Sequence, residues 1–242
     1  MTGTDGKTST CHLIAESLTK LGNKVGLIST EGNGVYPRLK RTGYTTPRSD
    51  ILYKTFDNFR RKKVDIVVIE CSSQGLHQGR LNHLTFNDSI VTNLNKDHIE
   101  YHKTFKNYIK SKQKLLDMTM GNIFLNIDCK NTISKFSNIK KSKIITYGSH
   151  VDEKIIDRLT KTSDILEDHF VKSNRSLLYK LLINESYSLN KIKFILNNRS
   201  KAIRGRMNYF RDRRSNAVYI IDYAHTENAL SLIHISEPTR RS

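Results

Sequence analysis

The sequence predicts an α/β fold: a mostly parallel, doubly wound sheet with a phosphate-binding loop, followed by the start of a truncated second α/β domain. Three observations carry that expectation. Short aliphatic runs alternate with segments of helical period. The strand Val64 to Glu70 is built on a continuous apolar run, Ile66 to Ile69, as a strand covered by helices on both faces requires. Gly3-Thr4-Asp5-Gly6-Lys7-Thr8-Ser9 is a glycine-rich turn that leads with a lysine and two hydroxyls into a helix.

In chain order, Leu13, Ile14, Leu18 and Leu21 give the first helix its apolar spacing, and Gly22-Asn23 stops it. Val25 to Ile28 predicts a short buried strand. Thr45-Thr46-Pro47 is extended, because Pro47 biases Thr46 away from helix. A helix follows from about Ser49 to Lys63 with Ile51, Leu52, Phe56 and Phe59 inward. Val64 to Glu70 is the clearest strand and places Glu70 at its carboxyl end, where α/β sheets hold their chemistry. Ile90 to Leu94 is the next strand, and Thr104 to Leu116 a helix that turns Phe105, Tyr108, Ile109, Lys112 and Leu116 to one side. Ile123 to Leu125 and Ile144 to Tyr147 are further strands with a polar helix between them. Residues 151–202 carry helical patterns, including Leu177 to Ile183 and Leu189 to Leu196. A last strand, Val218 to Ile221, bears Asp222-Tyr223-Ala224-His225 at its end.

The 242 residues suffice for one large domain or two smaller ones. The longest aliphatic run, Ile66 to Ile69, is too short to span a bilayer and no apolar leader precedes Thr4, which together imply the cytoplasm and no membrane partner. Cys11, Cys71 and Cys129 are isolated, so neither a disulfide framework nor a zinc ribbon is expected. Lys and Arg number 41 against 23 Asp and Glu, a formal charge of +18. The basic residues are dispersed apart from Arg60 to Lys63 and Arg211 to Arg214. That distribution argues against a nucleic-acid partner and suits anionic small substrates equally well.

Taken singly, the chemical motifs leave choices open. The opening loop reads as a phosphate cradle: glycines admit backbone N–H groups to phosphate oxygens, Lys7 supplies a charge, and the Thr8 hydroxyl can ligate Mg²⁺. Met1 stands where the strict phosphate-loop pattern has its first glycine, so a plain helix-capping loop is the alternative. Glu70 alone could be a surface carboxylate at a strand end. Asp97-His98-x-Glu100-x-His102 could hold a transition metal. Lys112 on an apolar helix face would ordinarily snorkel to solvent.

The same residues, in order, resemble the Mur ligases. The resemblance rests on Gly3 to Thr8, Thr45-Thr46-Pro47, Glu70-Cys71-Ser72-Ser73-Gln74-Gly75-Leu76, Gln78-Gly79-Arg80, Thr92-Asn93-Leu94, Asp97-His98 through His102, Lys112, Gly205-Arg206-Met207 and Asp222-Tyr223-Ala224-His225-Thr226. It covers roughly residues 1–230 and is closest to the ligases that add the third amino acid to UDP-N-acetylmuramoyl-L-Ala-D-Glu. It implies an ATP- and Mg²⁺-dependent amide-bond synthesis through an acyl phosphate, in peptidoglycan synthesis, with a free amino acid as the second substrate and a monomer as the complete enzyme. Lys7, Glu70, His98 and Lys112 would carry the reaction. The nucleotide would lie against Gly3, Thr4, Asp5, Gly6, Lys7, Thr8, Ser9, Asn93, Arg206, Asp222, Tyr223 and His225. Metal would be held by Thr8, Glu70, His98 and a carbamylated Lys112, and the sugar-peptide by Thr45, Thr46, Ser72, Gln78 and Arg80. A folylpolyglutamate or cyanophycin-type ligase, or an inactive nucleotide-binding remnant, is the alternative.

The resemblance implies a central ATP-binding domain over residues 1–212, lacking its first strand, and the start of a carboxy-terminal domain over residues 213–242. Residues 231–242 are a candidate for non-native sequence. On this expectation the amino-terminal uridine-binding domain is missing and the chain alone does not make the amide bond. Gln74, Tyr44 and Glu227-Asn228 depart from the family pattern, and the segment between Gly148 and Phe170 is short.

Overall fold

The computed structural model describes residues 1–136, 143–160 and 169–198, with 203, 205, 206, 208–212, 214, 215, 217–224 and 230 beyond them. The chain forms two compact units, divided after Asn198.

The first unit opens with an extended Met1-Thr2 and turns through the loop into α1 (Lys7–Lys20). The helix starts directly after the loop, because Gly6 at φ 76° supplies the left-handed step that aims the chain into it. It ends as expected, with Gly22 at φ 95° and Asn23 N–H bonded back to Leu18 O. Next come β1 (Val25–Ser29), β2 (Gly32–Val35) and α2 (Ser49–Arg61), which stops two residues short of the expected end because Lys63 takes φ 52°. Within α2, Leu52 and Phe59 are buried while Ile51 and Phe56 are half-buried. β3 (Ile66–Ile69) leads to α3 (Ser73–His77), capped by the Ser72 hydroxyl accepting from Gly75 N–H. β4 (Ser89–Val91), α4 (Ile99–His102), α5 (Phe105–Asp117), β5 (Asn122–Asn126), α6 (Lys130–Phe136), β6 (Lys143–Tyr147), α7 (Glu153–Leu159), α8 (His169–Asn184) and α9 (Leu189–Asn197) complete the unit.

Two sheets form, in the order β2-β1-β3 and β4-β5-β6, with every pair parallel except β1-β2. Met1-Thr2 lies between them. Met1 N donates to Ile69 O and Cys71 N–H to Met1 O; Thr2 N–H donates to Ile90 O and Thr92 N–H to Thr2 O. The antiparallel β2 and the shortness of β3 and β4 differ from expectation. Ile66, Val67 and Val68 of β3 are half-buried rather than enclosed, whereas Ile69 is buried.

Strand neighbours alternate between opposite faces, which is what winds helices on both sides. Leu27, Ile90 and Phe124 pack with Ile14 and Leu18 of α1, Leu177 and Leu182 of α8 and Ile192 of α9. Ile28 and Ile69 pack with Leu52, Phe59 and Leu115, and Val91, Ile123 and Leu125 with Ile109, Leu116 and Phe136.

In the second unit, β7 (Asn208–Arg211) and β8 (Val218–Ile221) pair antiparallel, Asn208 opposite Ile221. The Asp212 carboxylate closes their turn by accepting from Arg214 N–H at 2.9 Å and Ser215 Oγ at 2.6 Å. β8 was expected and β7 was not. Met207, His225, Thr226, Glu227-Asn228 and residues 231–242 lie outside the described residues.

Candidate active site

The loop is built from backbone outward. Gly3, at φ 155°, runs so close to β4 that a Cβ there would overlap Thr92 Oγ1, which in turn donates to Asp5 O at 2.7 Å. Asn93 Oδ1 accepts from Thr4 N–H at 3.0 Å and Asp5 N–H at 2.8 Å. The Thr4 side chain turns inward, contacting Tyr108 Oη at 2.9 Å and accepting from Asn95 N–H at 2.9 Å. Lys7 Nζ folds across the loop to Thr4 O at 2.7 Å. Asn93 and Thr4, expected against the nucleotide, thus support the loop itself. Gly6 has no side chain with which to cap α1, and no acid lies in its first turn, so the first amides and the helix dipole suit an anion. Ser9 follows, half-buried.

Behind the loop, Thr8 Oγ1 donates to the Glu70 carboxylate, 3.1 Å from either oxygen, and Thr30 donates to Glu70 Oε2 through both N–H and Oγ1 at 3.1 Å. Glu70 is buried at the end of β3. Hydroxyl and carboxylate oxygens side by side suit Mg²⁺, a hard cation. The other expected metal-holding residues, His98 and Lys112, bond other groups. His98, at φ 51°, lies 3.4 Å from Asp97 Oδ2 and 3.5 Å from Glu100 Oε1. Lys112 Nζ donates to Gly3 O at 2.6 Å and lies 4.5 Å from the centre of the Tyr108 ring. Among the described residues no three His, Cys, Asp or Glu side chains gather into a metal-holding group. Asp97, His98, Glu100 and His102 form no such group among the described residues.

Lys112 does not snorkel: it is 1% exposed. Burial, and next the charge of Lys7, push its amine well below the usual lysine value. His102 is 3% exposed, and among the described residues neither ring nitrogen has a hydrogen-bond partner. Burial, and next His77, lower its pKa.

Toward the expected sugar-peptide side, Thr45 Oγ1 meets Thr30 Oγ1 at 2.9 Å. Thr46 is fully buried; its hydroxyl donates to Glu70 O and accepts from Ser72 N–H, fixing the end of β3 to the start of α3. Ser72 Oγ is engaged in its helix cap. Gln78 and Arg80 instead line an open cavity of about 540 Å³ with Arg48, Ser49 and Asp50. Arg80 also donates to Thr46 O at 2.6 Å.

Sequence reasoning did not single out Thr30 or Asn95. A hydroxyl directly after the end of β1 was the available signal for Thr30; Asn95 offered none. In the second unit the Arg206 guanidinium lies 4.8 Å from the Tyr223 ring centre, and Asp222 Oδ1 accepts from Ala224 N–H at 2.7 Å. His225 is outside the described residues.

Known proteins resemble this chain in sequence and fold. The Mur ligase middle domain matches residues 1–184. The UDP-N-acetylmuramoyl-L-alanyl-D-glutamate–2,6-diaminopimelate ligase of Wigglesworthia glossinidia brevipalpis is 31% identical over 96% of this chain and 51% of its own length. The corresponding ligase 1 of Clostridium acetobutylicum is 34% identical over 96% of this chain and 52% of its own. The chain spans about half the length of these relatives. A solved structure of a ligase of the same name superposes with a TM-score of 0.71 at 24% identity, covering 96% of this chain and 51% of that one, a likeness of fold. A phosphate loop backed by a strand-end glutamate, on a sheet wound on both faces, thus coincides with the middle-domain match over three quarters of the residues, and the chain belongs to the Mur ligase family.

Proposed function

We propose that this chain carries the nucleotide-binding core of an ATP-dependent ligase of peptidoglycan synthesis that joins an amino acid to UDP-N-acetylmuramoyl-L-Ala-D-Glu. The names of the relatives favour 2,6-diaminopimelate over lysine as that amino acid. The observation that carries the reading is the Thr8–Glu70 pair directly behind an anion-ready loop.

ATP and a carboxylate repel, so catalysis by such an enzyme is chiefly the neutralisation and alignment of charge. The first-turn amides of α1 and the Lys7 ammonium would hold the β- and γ-phosphates once Lys7 leaves Thr4 O. Thr8 and Glu70 would hold Mg²⁺, which supplies positive charge as the phosphoryl group moves. Lys112 is the candidate for carbamylation, since burial disfavours its ammonium form. Arg80, at the open cavity, would pair with an acidic group of the sugar-peptide. In this reading the protein works in the cytoplasm. Among the described residues no helix is long and apolar enough to cross a membrane.

Calorimetric titration with ATP and Mg²⁺ tests the assignment. The wild-type chain is expected to bind, Lys7→Ala to weaken binding at least tenfold, and Glu70→Gln to remove its Mg²⁺ dependence. Equal binding by wild type and Lys7→Ala would sink the phosphate-loop reading.

A further inference from the structure

A hydrogen-bond chain runs from the open cavity to the segment that holds His98, directed from Arg80 through Gln78 to Tyr101. Arg80 donates to Gln78 Oε1 through Nε at 2.9 Å and Nη2 at 2.6 Å. Gln78 Nε2 lies 3.1 Å from Tyr101 Oη, which lies 3.1 Å from His77 Nδ1. A guanidinium only donates, so it fixes the orientation of the Gln78 amide, and the NH₂ end must face Tyr101. The Tyr101 oxygen accepts that bond and shares its second hydrogen bond with His77 Nδ1.

The hydroxyl stands on a firm base. The Tyr101 ring packs edge-on against His77 at 5.5 Å and against the buried His102 at 4.8 Å, and His102 packs in turn against Tyr108 at 5.5 Å. The His77 carbonyl accepts from Lys114 Nζ at 3.2 Å. Gln78, by contrast, is exposed, and among the described residues its side chain bonds Arg80 and Tyr101.

We infer that Tyr101 is a positioning residue for Arg80, setting through Gln78 the guanidinium that receives a carboxylate-bearing ligand. The inference rests on the reading that Arg80 pairs with an acidic group of the substrate. Arg80 has two further restraints, Thr46 O at 2.6 Å and the Tyr44 ring at 5.7 Å, neither of which fixes the Nε edge. Among the described residues that edge is set by Gln78, and a carboxylate binds a guanidinium well only when the fork is correctly turned. Without the Tyr101 hydroxyl, the Gln78 amide can rotate in solvent and Arg80 can follow it.

The test compares Tyr101→Phe, Gln78→Ala, the double variant and Arg80→Met in this chain. Two quantities are measured for each: calorimetric affinity for UDP-N-acetylmuramoyl-L-Ala-D-Glu, and, where Arg80 is present, the position of its Nε–H signal in ¹⁵N NMR spectra. Tyr101→Phe is expected to weaken binding about three- to tenfold, the range of one lost hydrogen bond. It should leave the melting temperature unchanged and move the Nε–H signal toward that of a solvent-exposed arginine. The double variant should bind no more weakly than Gln78→Ala, because the two residues act in series. If Arg80→Met loses affinity while Tyr101→Phe matches wild type in both measurements, the positioning role is wrong and the Arg80 reading stands. If Arg80→Met leaves affinity unchanged, the Arg80 reading fails, and the Nε–H signal still decides: an unmoved signal in Tyr101→Phe overturns the relay, and a moved one upholds it.

Discussion

The phosphate loop and the turn from Asp97 to Lys103 treat their backbone and polar groups in opposite ways. In the loop, the left-handed positions fall on Gly3 and Gly6, and Asn93, Thr92, Asn95, Lys7 and Lys112 bond the surrounding backbone or hydroxyls. In the turn, the left-handed positions fall on His98 at φ 51° and Lys103 at φ 67°, and among the described residues the buried His102 ring lacks a hydrogen-bond partner. The loop is shaped before anything binds. The turn stores strain and unmet hydrogen-bonding capacity, which proteins concentrate where function needs them.

Gly3→Ala breaks the contrast at the loop, and its effect should be the largest. The added Cβ would displace Thr92 Oγ1 from its bond to Asp5 O, and the new side chain would sit at a φ that L-residues avoid. A loss of about 3 kcal/mol is expected from strain and the broken bond together, read from the urea unfolding midpoint. A change below about 1 kcal/mol would show that the loop is less prebuilt than its hydrogen bonds indicate.

His102→Phe tests the turn. Burial lowers the histidine pKa from its ordinary 6.5, so the unfolded chain takes up a proton more readily than the folded one. This penalty is absent well above pH 6.5 and grows as pH falls through it. Wild type should lose about 1 kcal/mol of stability between roughly pH 7.5 and 5.5 that His102→Phe keeps. Parallel pH profiles would mean that His102 titrates alike in both states.

Lys103→Gly should have the smallest effect, a gain of about 0.5–1 kcal/mol by relieving φ 67°. Its exposed bond from Nζ to Glu100 O contributes little against that. A loss of stability on thermal unfolding would mean the turn is not strained at this residue.

The sequence displayed what burial dictates. β1, the core of β3, α5 and the two long carboxy-terminal helices were legible because apolar residues recur at strand or helix period. β2 was not: Gly-Asn-Gly-Val has no such run, and its place comes from antiparallel pairing with β1. At the site, residue types and order pointed to Gly3–Thr8 and Glu70, yet spacing could not show that Thr46, Ser72 and Asn93 bond protein backbone, or that Thr30 joins Glu70. Those assignments depend on where side chains point once strands distant in sequence are adjacent.

Met1 and Thr2 act as a seam. Among the described residues, the backbone bonds that join β3 to β4 across the middle of the molecule run through these two residues, linking them to Ile69, Cys71, Ile90 and Thr92. These partners lie 68 or more positions away in sequence. Each half-sheet can assemble from much nearer segments, whereas the seam must close a long loop for a handful of bonds, and the entropy of loop closure is lost before those contacts form. The two halves are therefore expected to zip separately and to meet last along this short line. The phosphate loop, which begins at the very next residue, would take its shape only when they do.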